Sequence, residues 1–287
     1  MGHMFFIRAV FLLLLISWNI SIVFADKYAV TVMDGLTGDI LFAEDDGMRL
    51  HPAGLTKLMT LYVAFEAVEN GEVGLDDRVE ISNHAAWEAP VKLGLRQGQG
   101  IRFRYLLRAV GVQGANDAST AIAEFLEGSE AAFARRMNRT AQRLGMDRST
   151  FKNAHGLTEN GHLTTTNDMA MLFKALKNDF PDYFNLFRRK TTSAGVKTIK
   201  SSARRLLNSD KTIIGAKTGY TRASGYSAAV YNSQLGKSVV IVMFGGRSTT
   251  TMISQIHKLR DLGFKKASLE KLEIGKKISE DERRLRD

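Results

Sequence analysis

The chain has 287 residues, no cysteine, three prolines and a formal net charge of +10. That length buries a sizeable core in one large domain or two modest ones, and 44 % apolar with 24 % charged residues excludes wholesale disorder. The lack of cysteine excludes a disulfide scaffold, a thiolate zinc site and a cysteine nucleophile, and the basic balance favours an anionic neighbour: nucleic acid, anionic lipid or an acidic cell-wall polymer.

Residues 1–25 differ from the rest. His3 and Arg8 precede an almost wholly apolar run over 10–24, and Ala25 stands before Asp26 and Lys27. A basic start, an apolar centre and a small residue at the exit predict a secretory signal peptide. The alternative is a membrane anchor, but the run is short against the about twenty residues of a bilayer span. Removal after Ala25 takes away Arg8 alone and leaves +9. The body is then expected outside the cytoplasm, without nucleic acid as a partner and with membrane contact only through an uncleaved signal. The lack of cysteine is compatible with an oxidising compartment.

Residues 28–33, Tyr-Ala-Val-Thr-Val-Met, predict a strand. Turn residues at 34–38 and a second strand over 40–43 make a hairpin. After the loop at 51–53, apolar residues at 55, 58, 59, 62, 63 and 65 predict a helix that ends near Asn70 and Gly71. Further helices are predicted over 101–112, 118–126, 131–144 and 168–176. Strands are predicted at 213–214, 225–231 and 238–244, and an amphipathic helix over 248–262. Strands at both ends with helices between them suggest one sheet built from both ends of the chain. Residues 265–287 hold eight basic and six acidic side chains, a solvated helix or frayed tail.

Three short motifs bear on chemistry. Lys217-Thr218-Gly219 lies in a strand-like run, where two side chains can enter a groove and the glycine admits a close backbone. Gly54-Leu55-Thr56-Lys57 opens the first long helix. Positions 54 and 57 share a helix face, and a lysine tucked under that helix loses basicity. Gly114-Ala115-Asn116-Asp117 forms a corner between helices, where Asn116 can offer its amide to a carbonyl. Each motif alone is equally an ordinary structural element.

Their order is that of Ser-x-x-Lys, Ser-x-Asn and Lys-Thr-Gly. With residues 153–157 (Asn-Ala-His-Gly-Leu), Gly225-Tyr226 and Gly245-Gly246-Arg247 added, the chain resembles the low-molecular-weight penicillin-binding proteins of the D-alanyl-D-alanine carboxypeptidase family over about 26–265. The resemblance implies an α/β (α+β) fold of the DD-peptidase/β-lactamase kind. Its antiparallel sheet of about five strands is flanked by helices. The implied organisation is a signal at 1–25, one domain over 26–264 with a mainly helical insertion at about 80–205, and the charged tail at 265–287.

The resemblance also assigns serines to the positions held here by Gly54 and Gly114. The first is the acylated nucleophile, with the helix lysine as its base; the second helps pass a proton to the leaving amine. Lys57, Asn116 and Lys217 carry over as catalytic positions, and Asn116, Lys217, Thr218 and Gly219 as substrate-binding ones. The implied ligand is the D-Ala-D-Ala end of peptidoglycan stem peptides, with β-lactams bound non-covalently; no cofactor or metal is expected. Two readings follow: an impaired or silent homologue that binds stem peptides, and an active carboxypeptidase using another nucleophile or an activated water. A non-enzymatic extracytoplasmic interaction module is a third. Ser149-x-x-Lys152, Ser268-x-x-Lys271 and Ser119 are serines without a family role, and His155 reads as a structural histidine.

Overall fold

The computed structural model describes residues 28–284, with side chains through Leu269; the segment read as a signal lies outside them. The first β-branched run forms β1 (Ala29–Asp34) and returns as β2 (Ile40–Glu44). Asp34 makes the turn, its Oδ1 accepting from the amides of Leu36 at 2.7 Å and Thr37 at 3.0 Å, the local bond that favours aspartate there. A 3₁₀ turn (Ala53–Leu55) leads into α1 (Thr56–Glu69). Then come β3 (Arg78–Glu80), α2 (Asn83–Trp87), β4 (Gly100–Arg102), α3 (Phe103–Arg108), a single π turn (Ala109–Gln113), α4 (Asn116–Glu127) and α5 (Glu130–Arg143). They are followed by α6 (Thr166–Asp179), α7 (Pro181–Phe184), a 3₁₀ turn (Asn185–Arg188), β5 (Thr191–Ser193), β6 (Thr198–Lys200) and α8 (Arg204–Ser209). The chain closes with β7 (Ile213–Thr221), β8 (Gly225–Gln234), β9 (Lys237–Gly246) and α9 (Thr249–Arg284).

The main sheet has five antiparallel strands in the order β2-β1-β9-β8-β7. It joins the two ends of the chain, with Val32 opposite Ile241 in the β1–β9 pair. Alternation along the strands divides the core in two. Val240, Val242 and Phe244 of β9 face α1 and α6; Val239, Ile241 and Met243 face α9. Helix α1 is buried on nearly every side, as an apolar-all-round helix must be. It runs through the middle of the molecule and sets Lys57 in the interior.

One predicted helix is corrected. Residues 101–102 belong to β4, because Ile101 pairs with Val79 and buries its side chain; the helix starts at Phe103 and widens into the π turn. The segment expected to be a helical insertion also carries the small hairpins β3–β4 and β5–β6. The helix expected to end at 262 continues through Arg284, so the backbone of the charged tail is helical as far as it is described.

Candidate active site

Three segments distant in sequence meet at a cleft of about 500 Å³. The first is the start of α1. Ala53 has φ +47° and is fully buried, a backbone conformation that a residue with a Cβ adopts only when its surroundings impose it. It turns position 54 toward β7. Lys57, 2 % exposed, donates from Nζ to Asn116 Oδ1 at 2.7 Å and to the carbonyl of His155. Burial pushes its ammonium down to about 7, against the opposing pull of Glu88 and Asp117. As a neutral amine it keeps two N–H groups for those two acceptors and has a lone pair left over.

The second segment is the corner between the π turn and α4. The wide turn ends at Gly114 in the left-handed region, φ +84° and ψ +37°. Asn116 then starts α4, its Nδ2 donating to Ala89 O at 2.8 Å. The fully buried Asp117 accepts from the amides of Leu93, Gly94, Leu95 and Ala118 at 2.7–3.1 Å. It thus ties the loop over 89–95, whose Pro90 and Val91 line the cleft, to α4. Asp117→Ala strands those amides. Hydrogen bonds to a charged group contribute about 1.5–3 kcal/mol each and are not additive. A loss of at least about 3 kcal/mol in urea denaturation is expected.

The third segment is β7, an edge strand of the main sheet. Lys217 is 1 % exposed and donates from Nζ to the carbonyls of Val110 and Gly111, the second at 3.2 Å. Those carbonyls come from the π turn. Burial holds its ammonium well below the usual lysine range, and Lys57 pushes in the same direction. Thr218 Oγ1 lies 3.4 Å from Ser202 Oγ. Gly219 packs directly on Gly54: a Cβ at 54 would sit 2.9 Å from Thr218 O and 3.0 Å from Gly219 Cα. A Cβ at 114 would lie 3.5 Å from Lys217 Nζ and 3.9 Å from Ser202 Oγ.

The fold thus brings together all seven positions singled out in the sequence: Gly54, Lys57, Gly114, Asn116, Lys217, Thr218 and Gly219. The family pattern described as D-alanyl-D-alanine carboxypeptidase matches residues 23–248. The chain belongs to that family. It is similar to D-alanyl-D-alanine carboxypeptidase DacF of Bacillus subtilis, 31 % identical over 233 residues that make up 79 % of this chain and 59 % of DacF. The chain therefore spans about three fifths of the length of that curated relative. Among solved structures it is similar to penicillin binding protein 5 from Haemophilus influenzae (TM-score 0.79, 27 % identity, 82 % of this chain and 70 % of that one). It is also similar to penicillin-binding protein D2 from Listeria monocytogenes in its ampicillin-bound form (TM-score 0.75, 28 % identity, 82 % and 96 %).

The three serines without a family role in this carboxypeptidase homologue are engaged outside the cleft. Ser119 Oγ is buried and donates to Ala115 O at 2.9 Å within α4. Ser149 Oγ donates to Asp168 Oδ2 at 2.7 Å. Ser268 Oγ donates to Phe264 O at 2.6 Å. The His155 ring is buried, with Nδ1 accepting from the amide of Leu157 at 3.1 Å. Burial pushes its ionisation down to about 3, with Lys57 adding to the effect. Ser202 carried no signal in the sequence, since it lies in an irregular link between β6 and α8. Tyr220 and Tyr226 belong to the motifs that carry the resemblance but had no site role there; their rings, 4.6 Å apart, line the cleft. Among the described residues no helix is long and apolar enough to cross a membrane.

Proposed function

We propose that the protein is an extracytoplasmic D-alanyl-D-alanine carboxypeptidase homologue that grips the D-Ala-D-Ala end of peptidoglycan stem peptides without forming a serine adduct. The observation that carries this reading is the contact at Gly54. The resemblance assigns the attacking serine to that position; here there is no hydroxyl, and the place of its Cβ is crowded by Thr218 O and Gly219 Cα. Gly114 stands at the second serine position. Removing the serine of an unrelated serine hydrolase costs about 10⁶ in turnover, while about 10³–10⁴ over water survives from binding and the oxyanion hole. The gripping groups are retained. Asn116 offers an amide, Thr218 a hydroxyl, Gly219 an approachable backbone, and Lys217 a buried amine that a bound carboxylate would return to its charged form.

The test uses the chain without its signal segment. A fluorescent penicillin should leave no covalent band on a denaturing gel. A D-Ala-D-Ala peptide should bind at equilibrium, and Lys217→Ala should weaken it by at least about tenfold, or ~1.4 kcal/mol. A covalent band, or no binding up to millimolar peptide, overturns the reading. The amine of Lys57 favours a second reading, in which it activates a water in the cleft. Release of D-alanine above background, abolished in Lys57→Ala, would select it.

A further inference from the structure

A second cluster lies beyond His155, outside the cleft. The His155 carbonyl holds Lys57, and its ring faces the carboxylates of Glu88 and Glu130. We propose that His84, Glu88 and Glu130 form a binding site for a divalent transition-metal ion of the zinc class. One donor atom from each of the three lies within 4.8 Å of the other two. His84 Nε2 stands 3.6 Å from Glu88 Oε1. That is too long for a hydrogen bond. It is close to the about 3.4 Å edge of a tetrahedron with zinc–ligand bonds of about 2.0–2.1 Å.

The surroundings orient the histidine as a metal ligand. His84 Nδ1 is 3.0 Å from Glu124 Oε1, and Ser82 Oγ donates to Glu124 Oε2 at 2.6 Å. A carboxylate on Nδ1 fixes the proton there and leaves Nε2 with its lone pair outward, the usual support of a metal-bound imidazole. The two ligand carboxylates are steadied through one oxygen each: Thr120 Oγ1 donates to Glu88 Oε1 at 2.9 Å, and the Ala154 amide to Glu130 Oε1 at 2.9 Å. His84 is largely exposed, so an ion has a path in from solvent.

The buried ring of His155 is an independent sign. Nδ1 already accepts from Leu157, so the ring proton sits on Nε2. Nε2 points at Glu88 Oε1 from 3.5 Å and Glu130 Oε1 from 3.4 Å, beyond good hydrogen-bond range. With its proton on that nitrogen, the ring faces the two carboxylates and is not a fourth ligand. Among the described residues, the basic groups within 4 Å of the Glu88, Glu124 and Glu130 carboxylates are imidazoles. One imidazole and two carboxylates suit zinc better than magnesium, which prefers all-oxygen octahedra. The sequence offered little hint, because Glu130 lies on a different helix from His84 and no motif links them.

The site is independent of whether the cleft cleaves peptide. The test is titration calorimetry of the chelator-stripped chain with ZnCl₂. One ion per chain is expected. His84→Ala and Glu130→Gln should each weaken it by at least about tenfold, and Glu124→Gln by about 10–100-fold through loss of ring orientation. Far-UV circular dichroism of each variant should match the unaltered chain, since His84 is exposed and glutamine at 130 can still accept from Ala154. Absence of zinc binding at millimolar ZnCl₂ overturns the proposal. So does zinc bound equally well by the folded His84→Ala/Glu130→Gln double variant.

Discussion

A fluorescent penicillin will label the Gly54→Ser variant covalently on a denaturing gel and will leave the unaltered chain unlabelled. Acylation needs an oxygen at the start of α1 and a base beside it. The resemblance gives the role of base to Lys57, which is buried with its ammonium held down to about 7, so a large fraction is free amine at neutral pH. The new side chain must enter a tight space, because its Cβ meets Thr218 O at 2.9 Å and Gly219 Cα at 3.0 Å. The β7 backbone has to withdraw by a few tenths of an ångström, and overpacking of this kind costs about 1–3 kcal/mol. The variant should therefore melt at a lower temperature and acylate more slowly than a serine-bearing relative. Adding Gly114→Ser supplies a second hydroxyl near Lys217 Nζ and should speed labelling. It places a Cβ at φ +84°, at a further cost of about 1–2 kcal/mol. An unlabelled Gly54→Ser variant that is folded and still binds peptide would mean that the helix start is not competent for attack.

The second large effect is on stability against pH. Lys57 falls from 10.5 to about 7 in the folded chain. Between those values the unfolded state binds more protons than the native one, so stability rises with pH across that window and is lowest below it. The slope is up to about 1.4 kcal/mol per pH unit for one such group. Lys217 is shifted the same way and adds to it. At lower pH, His155 and His162 are pushed from 6.5 to about 3 and about 4, both chiefly by burial. They give the same sign, a loss as pH falls below 6.5. Above about 10 the trend reverses: burial and a hydrogen bond to Asp179 raise the Tyr62 hydroxyl, so the unfolded chain gives up that proton first. Urea denaturation from pH 5 to 10 should thus show stability climbing through neutrality. Lys57→Met should flatten the segment between 7 and 10. A wild-type curve that is flat or falling there would contradict the buried-amine account.

The hairpin at 28–44, the helix over 56–69 and the three strands after 213 are legible in the sequence because each has a clear period or turn chemistry. The hairpins β3–β4 and β5–β6 are not, since three-residue strands are too short to show alternation. In the site, Lys57, Asn116 and Lys217–Gly219 could be named from motif order alone. What that order does not convey is distance. The Gly54–Gly219 contact depends on the strained turn at Ala53 and on how β7 settles against it. Asp117 sits inside a motif that was read, yet its task of holding residues 93–95 depends on a loop with no periodic pattern. Ser202 and the cluster around Glu88 depend on tertiary placement in the same way.

The pairing of β1 with β9 has a consequence for how the molecule is made. During synthesis, residues 29–34 emerge long before their partners at 239–244. Until those partners arrive, β1 has only β2 beside it, and a two-stranded hairpin is marginal in water. The helices packed around α1 rest on more local contacts and can form earlier, whereas the sheet must close a loop of some two hundred residues, the slow kind of step. The two buried lysines come together when β7 settles on the turn before α1 and on the π turn, so their desolvation penalty falls on that step. A nascent chain halted before β9 would lack the completed sheet and would leave the β9-facing edge of β1 unpaired, the kind of edge that invites pairing with another chain.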